Sequence, residues 1–364
     1  MLATGLASVT SFGERMAKTV YAKQLPGETP PDAGAMARLL ELSLALQKLA
    51  PWRQLADLHV FAVEVAPGRV YYAQVLGNAG ELYRFQLYRG PEGYWLLDDV
   101  FEGVVRSAEQ MFSRTPILWV EFVAAKELTP ADKGAIAAAG GKVAARAGTP
   151  VWRAVRPCSL PWYPDASEVA DLIRALDLSL PFLSNDAQGR TNELWAEHSR
   201  LPWIGPDGSV TLEPAPPDEN RPVEIGLPVP VDEKAVSELP LPKASAPGVT
   251  IEITHFLAPM PIAPKNTRPT LPRIAMGAEA RSGFLFEPEL AESHVDPGAL
   301  MAKVLLKAVR EVSRDARVRE VHVGSDADLT RLQPLCDRLQ INLVRKKHLH
   351  AVDHAAEALR MSVF

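Results

Sequence analysis

Cysteine is almost missing from this chain: its 364 residues hold two, Cys158 and Cys336. A secreted disulfide scaffold carries more, and a zinc knuckle needs closer clusters, so both read as reduced thiols of a cytosolic, that is cytoplasmic, protein. Long apolar runs are missing too, since no window approaches the ~18 apolar residues of a membrane span. The opening Met1–Thr10 lacks the charged start and continuous apolar block of a signal peptide, and residues 1–30 read as a frayed tail. No sign of charge is in large excess. The formal net charge of −5 gives no global attraction to nucleic acid or to an acidic membrane. Aromatics are missing unevenly: all seven tryptophans lie at or before Trp203 and all seven tyrosines at or before Tyr163. That break, in a chain long enough for about two domains, points to two separately packed units.

Proline is what the chain has in plenty. Half of its 32 prolines lie between Leu201 and Arg273, in runs such as Pro214–Pro217, Leu227–Pro230 and Leu239–Pro242. Proline fixes φ and removes a backbone donor, so no central strand or long helix is expected through such text. Acids recur between the prolines, which favours a solvated, semi-rigid connection. The reading is therefore a first unit over residues 31–200, a proline-rich linker over 201–248 and a second unit over 249–364. Inside the linker, Trp203–Leu212 fits one small hairpin turning at Pro206-Asp-Gly208.

Periodicity divides each flank into elements. Met36, Leu39, Leu42, Leu46 and Leu49 recur at helical spacing over 35–49. Strands follow at 58–65, 70–76 and 82–88, separated by turns, then a helix from Glu92 to about Val105. Ile117–Val123 reads as a buried strand. Thr129 and Pro130 open a helix, Val151–Val155 is a fifth strand, and Asp165 to Glu168 caps a helix running to about Leu183. The second flank gives strands at 250–257, 273–278 and 282–287, the first two separated by a long proline loop, Pro259–Pro272. A helix over 299–313, a strand over 320–323, a helix capped by Asp326 or Asp328, a strand over 341–344 and a helix over 349–361 complete it. The expected fold class is α/β: two tandem units of order βββαβαβα, each a mixed five-stranded sheet with flanking helices, ribonuclease-H-like, joined by the linker.

That architecture suggests two chemistries, and the residues speak against the first. An actin-like ATPase needs an Asp-x-Gly phosphate turn after the first strand, where this chain has Ala66-Pro-Gly-Arg69 and a long proline loop. A nuclease of this fold needs carboxylates that hold two metal ions about 4 Å apart. In the second flank Glu252, Glu311, Asp326 and Asp353 lie in or beside the four elements that would supply them. With 44 acids in the chain, one in each element is also what chance supplies. His350 and His354, four apart, can share a helix face as metal ligands. No Glu follows His350 and a third ligand would have to come from elsewhere, so solvated histidines at a helix start are the favoured reading. Arg345, Lys346 and Lys347 make the C-terminal unit locally basic and nucleic acid a possible partner, without the interleaved Trp or Tyr that stacking on bases requires.

Two segments carry a family resemblance. Pro51–Asp57 with the strands after it resembles the N-terminal module of an uncharacterised bacterial two-module family, built of domains of unknown function. Arg317–Ser325, Leu332–Cys336 and Ile341–Val344 resemble its C-terminal module. Some relatives carry a cysteine-rich metal-binding tail that this chain lacks. The resemblance implies a bacterial cytosolic protein and brings no catalytic residues. The expected function is a non-catalytic interaction or regulatory protein with a protein partner, no membrane and no cofactor. Its alternatives are a metal-dependent nuclease using the second unit's carboxylates, the one case that takes a divalent metal, and a non-catalytic nucleic-acid binder. The Pro259–Pro272 loop is expected to be the most distinctive surface.

Overall fold

The structure is a computed structural model that describes residues 25, 27–105, 108–144, 148–186, 195, 200–242, 245–258, 260–263 and 266–363. The tail read over 1–30 lies, up to residue 24, outside them. No helix among the described residues is long and apolar enough to cross a membrane. The fold is mixed α/β, with two mixed sheets of seven and five strands and flanking helices. Two compact units hold one sheet each. The first runs to Pro222 and includes Ala263–Pro269, and the second takes Val223–Ile262 and the chain from Thr270.

In the first unit, α1 (Ala33–Leu49) starts where Asp32 accepts from the Ala35 N–H, at 2.7 Å, and buries Met36, Leu39, Leu42 and Leu46. Strands β1 (Val60–Ala66), β2 (Arg69–Leu76) and β3 (Arg84–Arg89) form an antiparallel meander. Helices α2 (Gly90–Phe101) and α3 (Ala108–Phe112) follow, then β4 (Ile117–Val123), α4 (Pro130–Ala138), β5 (Thr149–Val155) and α5 (Ala166–Asp186). Thr129 is the N-cap of α4, as expected, and Asp132 completes a reciprocal capping box with it.

The strand order corrects the expected one. It is β5-β4-β3-β2-β1 with β6 (Arg200–Ile204) and β7 (Val210–Pro214) added beyond β1, and β4 and β5 run antiparallel to their neighbours. Five strands with a parallel β4 were expected. The edge of β1 that a parallel β4 would take is occupied by β6, which pairs in parallel at Ala62↔Trp203. Short α4, nine residues, returns the chain to the end of the sheet it left.

Alternation buries both faces. Phe61, Val63, Ala73, Phe85, Leu87 and Val120 pack under α1 and α5. Tyr72, Tyr88, Ile117 and Trp119 pack under α2 and α3 with Leu96, Leu97 and Phe112. The second face also carries a polar ladder. Gln86 donates to Gln74 and to the Tyr88 hydroxyl, both at 2.6 Å. Arg84 and Glu121 pair at 2.5 Å with side chains only 3% and 9% exposed, and the Arg84 guanidinium lies 4.6 Å from the centroid of the Trp119 ring.

The proline-rich stretch is structured at both ends. Arg200–Pro214 is the β6–β7 hairpin, turning at Gly208 with φ 84°. In the second unit Val229 and Val231 border the core and Val236 is inside it. The loop expected to be the most distinctive surface has a buried member as well: Arg268, in the part assigned to the first unit, pairs with Glu28 at 2.7 Å and Glu168 at 2.8 Å.

The second unit contains a short helix α6 (Glu233–Ser237), then β8 (Gly248–Leu257), β9 (Arg273–Glu279), β10 (Glu289–Ala291), α7 (Pro297–Val312), β11 (Arg317–Val323), α8 (Asp326–Leu339), β12 (Asn342–Arg345) and α9 (His350–Val363). The sheet order is β10-β9-β8-β11-β12, with β9 antiparallel to both neighbours and β11 parallel to β8 and to β12. The strand expected at 282–287 is reduced to a tight turn and a single antiparallel bridge, Ala278↔Leu285. Glu279 accepts from the Ser282 N–H at 2.6 Å, Gly283 takes φ 72°, and the third strand forms after Pro288. The α8 cap is Ser325, whose Oγ accepts from the Asp328 N–H at 3.1 Å, rather than either aspartate. Cys336 is buried in the core, and burial, with the charge of Asp337, pushes its thiol up to about 12.

Removing one partner of a buried ion pair leaves the other charge uncompensated, whereas replacing both with apolar groups is near neutral. Glu121→Gln is therefore expected to destabilise the first unit by about 3 kcal/mol, and Arg84→Met with Glu121→Leu by under about 1 kcal/mol. Urea unfolding followed by tryptophan fluorescence reads this, because every tryptophan lies at or before Trp203. Equal losses in the single and double variants would remove the ion-pair account.

Candidate functional site in the second unit

Strand β8 sorts its side chains by parity. Ile251 and Ile253 join the core formed with Leu300, Val304 and Leu305 of α7 and Leu332 of α8. Glu252 faces the other way, toward α9, and is 5% exposed. Its Oε2 accepts from the Ala351 N–H at 2.7 Å and the Val352 N–H at 3.2 Å. These are orphan donors of the first turn of α9, at the positive end of the helix dipole. Asp353 Oδ2 accepts from the Leu349 N–H at 3.0 Å, so two of the four candidate carboxylates meet at one helix start and bind backbone there.

The other two point elsewhere. Asp326 is exposed and pairs with Arg345 at 2.8 Å. Glu311 is exposed near the end of α7, the helix that packs on the Ile251 and Ile253 side, so the sheet separates it from Glu252. His350 and His354 are exposed, and the His350 ring faces His348 at 6.2 Å. Among the described residues no group of three or more His, Cys, Asp or Glu is placed to hold a metal ion. Arg345 is engaged by Asp326, whereas Lys346 and Lys347 are exposed.

A second cluster escaped the sequence reading. On the α7–α8 side of the sheet, His255 Nε2 lies 3.3 Å from Asp328 Oδ1, and its Nδ1 lies 3.1 Å from Arg273 Nη1. Arg331 reaches Asp328 Oδ1 at 2.8 Å and Glu224 Oε1 at 2.6 Å, and Ser325 Oγ donates to Asp328 Oδ2 at 2.8 Å. Burial opposes ionisation of Asp328, but the hydrogen bond and charge of His255, then Ser325 and Arg331, outweigh it and hold the carboxyl below its ordinary value. The cluster is not a nucleophilic triad. The aspartate stands between serine and histidine, so the imidazole does not touch the hydroxyl. Two signals for it were present: the parity of Ile251, Ile253 and His255, and the three-residue spacing of Asp328 and Arg331. Glu224 had none. Its position depends on Gly226, where an added Cβ would fall 1.9 Å from the Ala327 carbonyl oxygen.

The fold and this site define a tandem mixed α/β protein whose inward carboxylates cap helices and bind arginine. Two family models match it: the domain of unknown function DUF7309 over residues 37–197, and the domain of unknown function DUF6930 over residues 240–360. The chain thus carries two domains of unknown function in tandem, as the resemblance implied. No curated protein matches it. Among solved structures, the catalytic core domain of BIV integrase is 14% identical, with 31% of this chain and 64% of that chain covered and a TM-score of 0.23. A chain of the simian T-cell lymphotropic virus intasome in complex with PP2A regulatory subunit B56 gamma is 12% identical, with 50% and 54% covered and a TM-score of 0.23. The match spans less than two thirds of either chain, and at that TM-score the likeness carries no argument.

The folded pKa of Asp328 lies below its unfolded one. Its contribution to stability is complete above the unfolded value and is lost as pH falls through the folded one, from about pH 5 downward. Asp328→Asn is expected to flatten that acid limb in unfolding curves followed by far-ultraviolet circular dichroism. An unchanged limb would assign the acid sensitivity to other carboxylates. Glu252→Ala is expected to cost about 3 kcal/mol, because it strands two buried backbone donors. A loss under about 0.5 kcal/mol would show that water replaces the carboxylate freely.

Proposed function

We propose that this chain is a non-catalytic interaction protein whose second unit has a ribonuclease-H-like frame and uses its inward acid for structure. The frame is supported by the order β10-β9-β8-β11-β12, with only β9 reversed. The observation that carries the functional reading is the state of Glu252. In a nuclease of this frame the first-strand acid reaches a metal ion, and here it is buried and occupied by two N–H groups of α9. No cofactor enters the reading. A protein partner is favoured by Val223, Ile225 and Leu227, which alternate along an extended stretch at 81%, 79% and 68% exposure. The residues between them, Glu224 and Gly226, dock on α8 through Arg331 and Ala327, so the stretch is held with its apolar row outward.

A nuclease assay with Mn²⁺ tests the reading. The expected outcome is cleavage of single- or double-stranded DNA and RNA no faster than by the Glu252→Gln, Asp326→Asn double variant. Cleavage that this variant abolishes would establish the metal-dependent alternative. In the same samples, nucleic-acid affinity is expected to be too weak to measure. Measurable affinity that falls steeply with salt and is lost with Lys346→Ala, Lys347→Ala would instead establish nucleic-acid binding.

A further inference from the structure

Register places three chemically distinct side chains of the first unit on one face of its sheet. Tyr72 stands opposite Ala62, Ala62 opposite Trp203, and Leu201 opposite Glu213. Directly opposed residues share a face, and Leu201 and Trp203 are two apart on one strand. Tyr72, Trp203 and Glu213 therefore project to the side that α2 covers with Trp95, Leu96 and Leu97. Beyond β7 the chain turns back as Pro214-Ala-Pro-Pro217, and Pro217 has the polyproline II angles φ −70° and ψ 140°. Arg221 fastens the end of this strap to Asp98 and, at 2.9 Å, to Asp99 of α2. The pocket between them opens to solvent, measures about 460 Å³ and is lined by Tyr72, Trp95, Trp203, Glu213 and the strap.

The lining has unused chemistry. Among the described residues the half-buried Glu213 carboxylate has no ion pair or hydrogen bond, although the neighbouring Asp98 and Asp99 are both matched by Arg221. Among the described residues the buried Trp95 indole N–H, also in the lining, has no hydrogen-bond partner. An unpaired carboxylate in a pocket lined by three aromatic residues repels anions and attracts a cation. A metal ion or a bare ammonium would lose a strong hydration shell for a single carboxylate. An alkylated ammonium is weakly hydrated and presents apolar surface to indole and phenol rings. The volume falls within the roughly 300–1,000 Å³ of small-ligand sites. We infer that this cavity is a binding site for a small organic cation with an alkylated ammonium group, held among Tyr72, Trp95 and Trp203 with Glu213 as its counter-ion. The inference goes beyond the proposed function, since it concerns the first unit and a small molecule.

Titration of the full chain with choline, followed by tryptophan fluorescence and by calorimetry, tests it. The control is the neutral isostere with a tert-butyl group in place of trimethylammonium. Choline is expected to quench saturably, and the isostere to bind roughly tenfold more weakly. Glu213→Gln is expected to weaken choline by a similar factor of about ten while the unfolding transition stays where it is. The isostere comparison uses the unaltered protein, so it stands even if the variant fails to fold. Equal binding of choline and isostere would reduce the cavity to an apolar hole and overturn the inference. So would the absence of any saturable choline signal, or binding of a trimethyllysine peptide without binding of choline.

Discussion

Glu252 lies inside the second unit, and a buried carboxyl group is tolerable only where hydrogen-bond partners meet it. The donors are the N–H groups of Ala351 and Val352, so the acid on the central strand and the start of α9 hold each other in position. Much follows from that contact. Leu349 and Val352 pack against Ala278, while Ala355 and Leu359 cover Phe256, Ile274 and Met276. Because side chains alternate along a strand, fixing Glu252 on the α9 side assigns Ile251, Ile253 and His255 to the other. There α7 and α8 close the larger core, with the His255–Asp328–Arg331 network at its margin. The buried acid is thus part of what holds the unit together.

The two units begin alike and diverge at one edge. Each opens with a three-stranded antiparallel meander. In the second, β11 takes the free edge of the first strand in parallel. In the first, β6 takes that edge and β4 adds beyond β3, which gives a seven-stranded sheet. The divergence has a chemical result. The added β6–β7 hairpin carries Trp203 and Glu213 onto the face of Tyr72, and the prolines after it turn back over them. Proline therefore acts less as a spacer than as the wall of a cavity, a use that needs its fixed φ and its missing donor.

Local structure was legible where one residue decides it. Thr129 starts its helix at the predicted place, and Ile117–Val123 is a strand to the residue. Side-chain parity was legible as well, although the sequence reading did not use it on His255. Pairing was not legible, because β4 carries the same apolar text whether it joins β1 in parallel or β3 antiparallel. Nor was the role of Glu252. Its partners are about a hundred positions away, and an acid between two isoleucines reads equally as a solvated, a catalytic or a capping residue. Arg84 and Glu121 hid for a related reason: each is charged text that only its cross-strand partner makes buriable.

Glu252 binds backbone in the structure, and the proposed function takes this as its role in place of metal binding. Amide nuclear magnetic resonance of the full chain during Mn²⁺ addition tests it most directly. The account predicts that the Ala351 and Val352 resonances broaden no more than those of other buried amides. Selective broadening of these two and of Glu252 at low Mn²⁺ would contradict it, because it would place a metal ion where the structure has two hydrogen bonds.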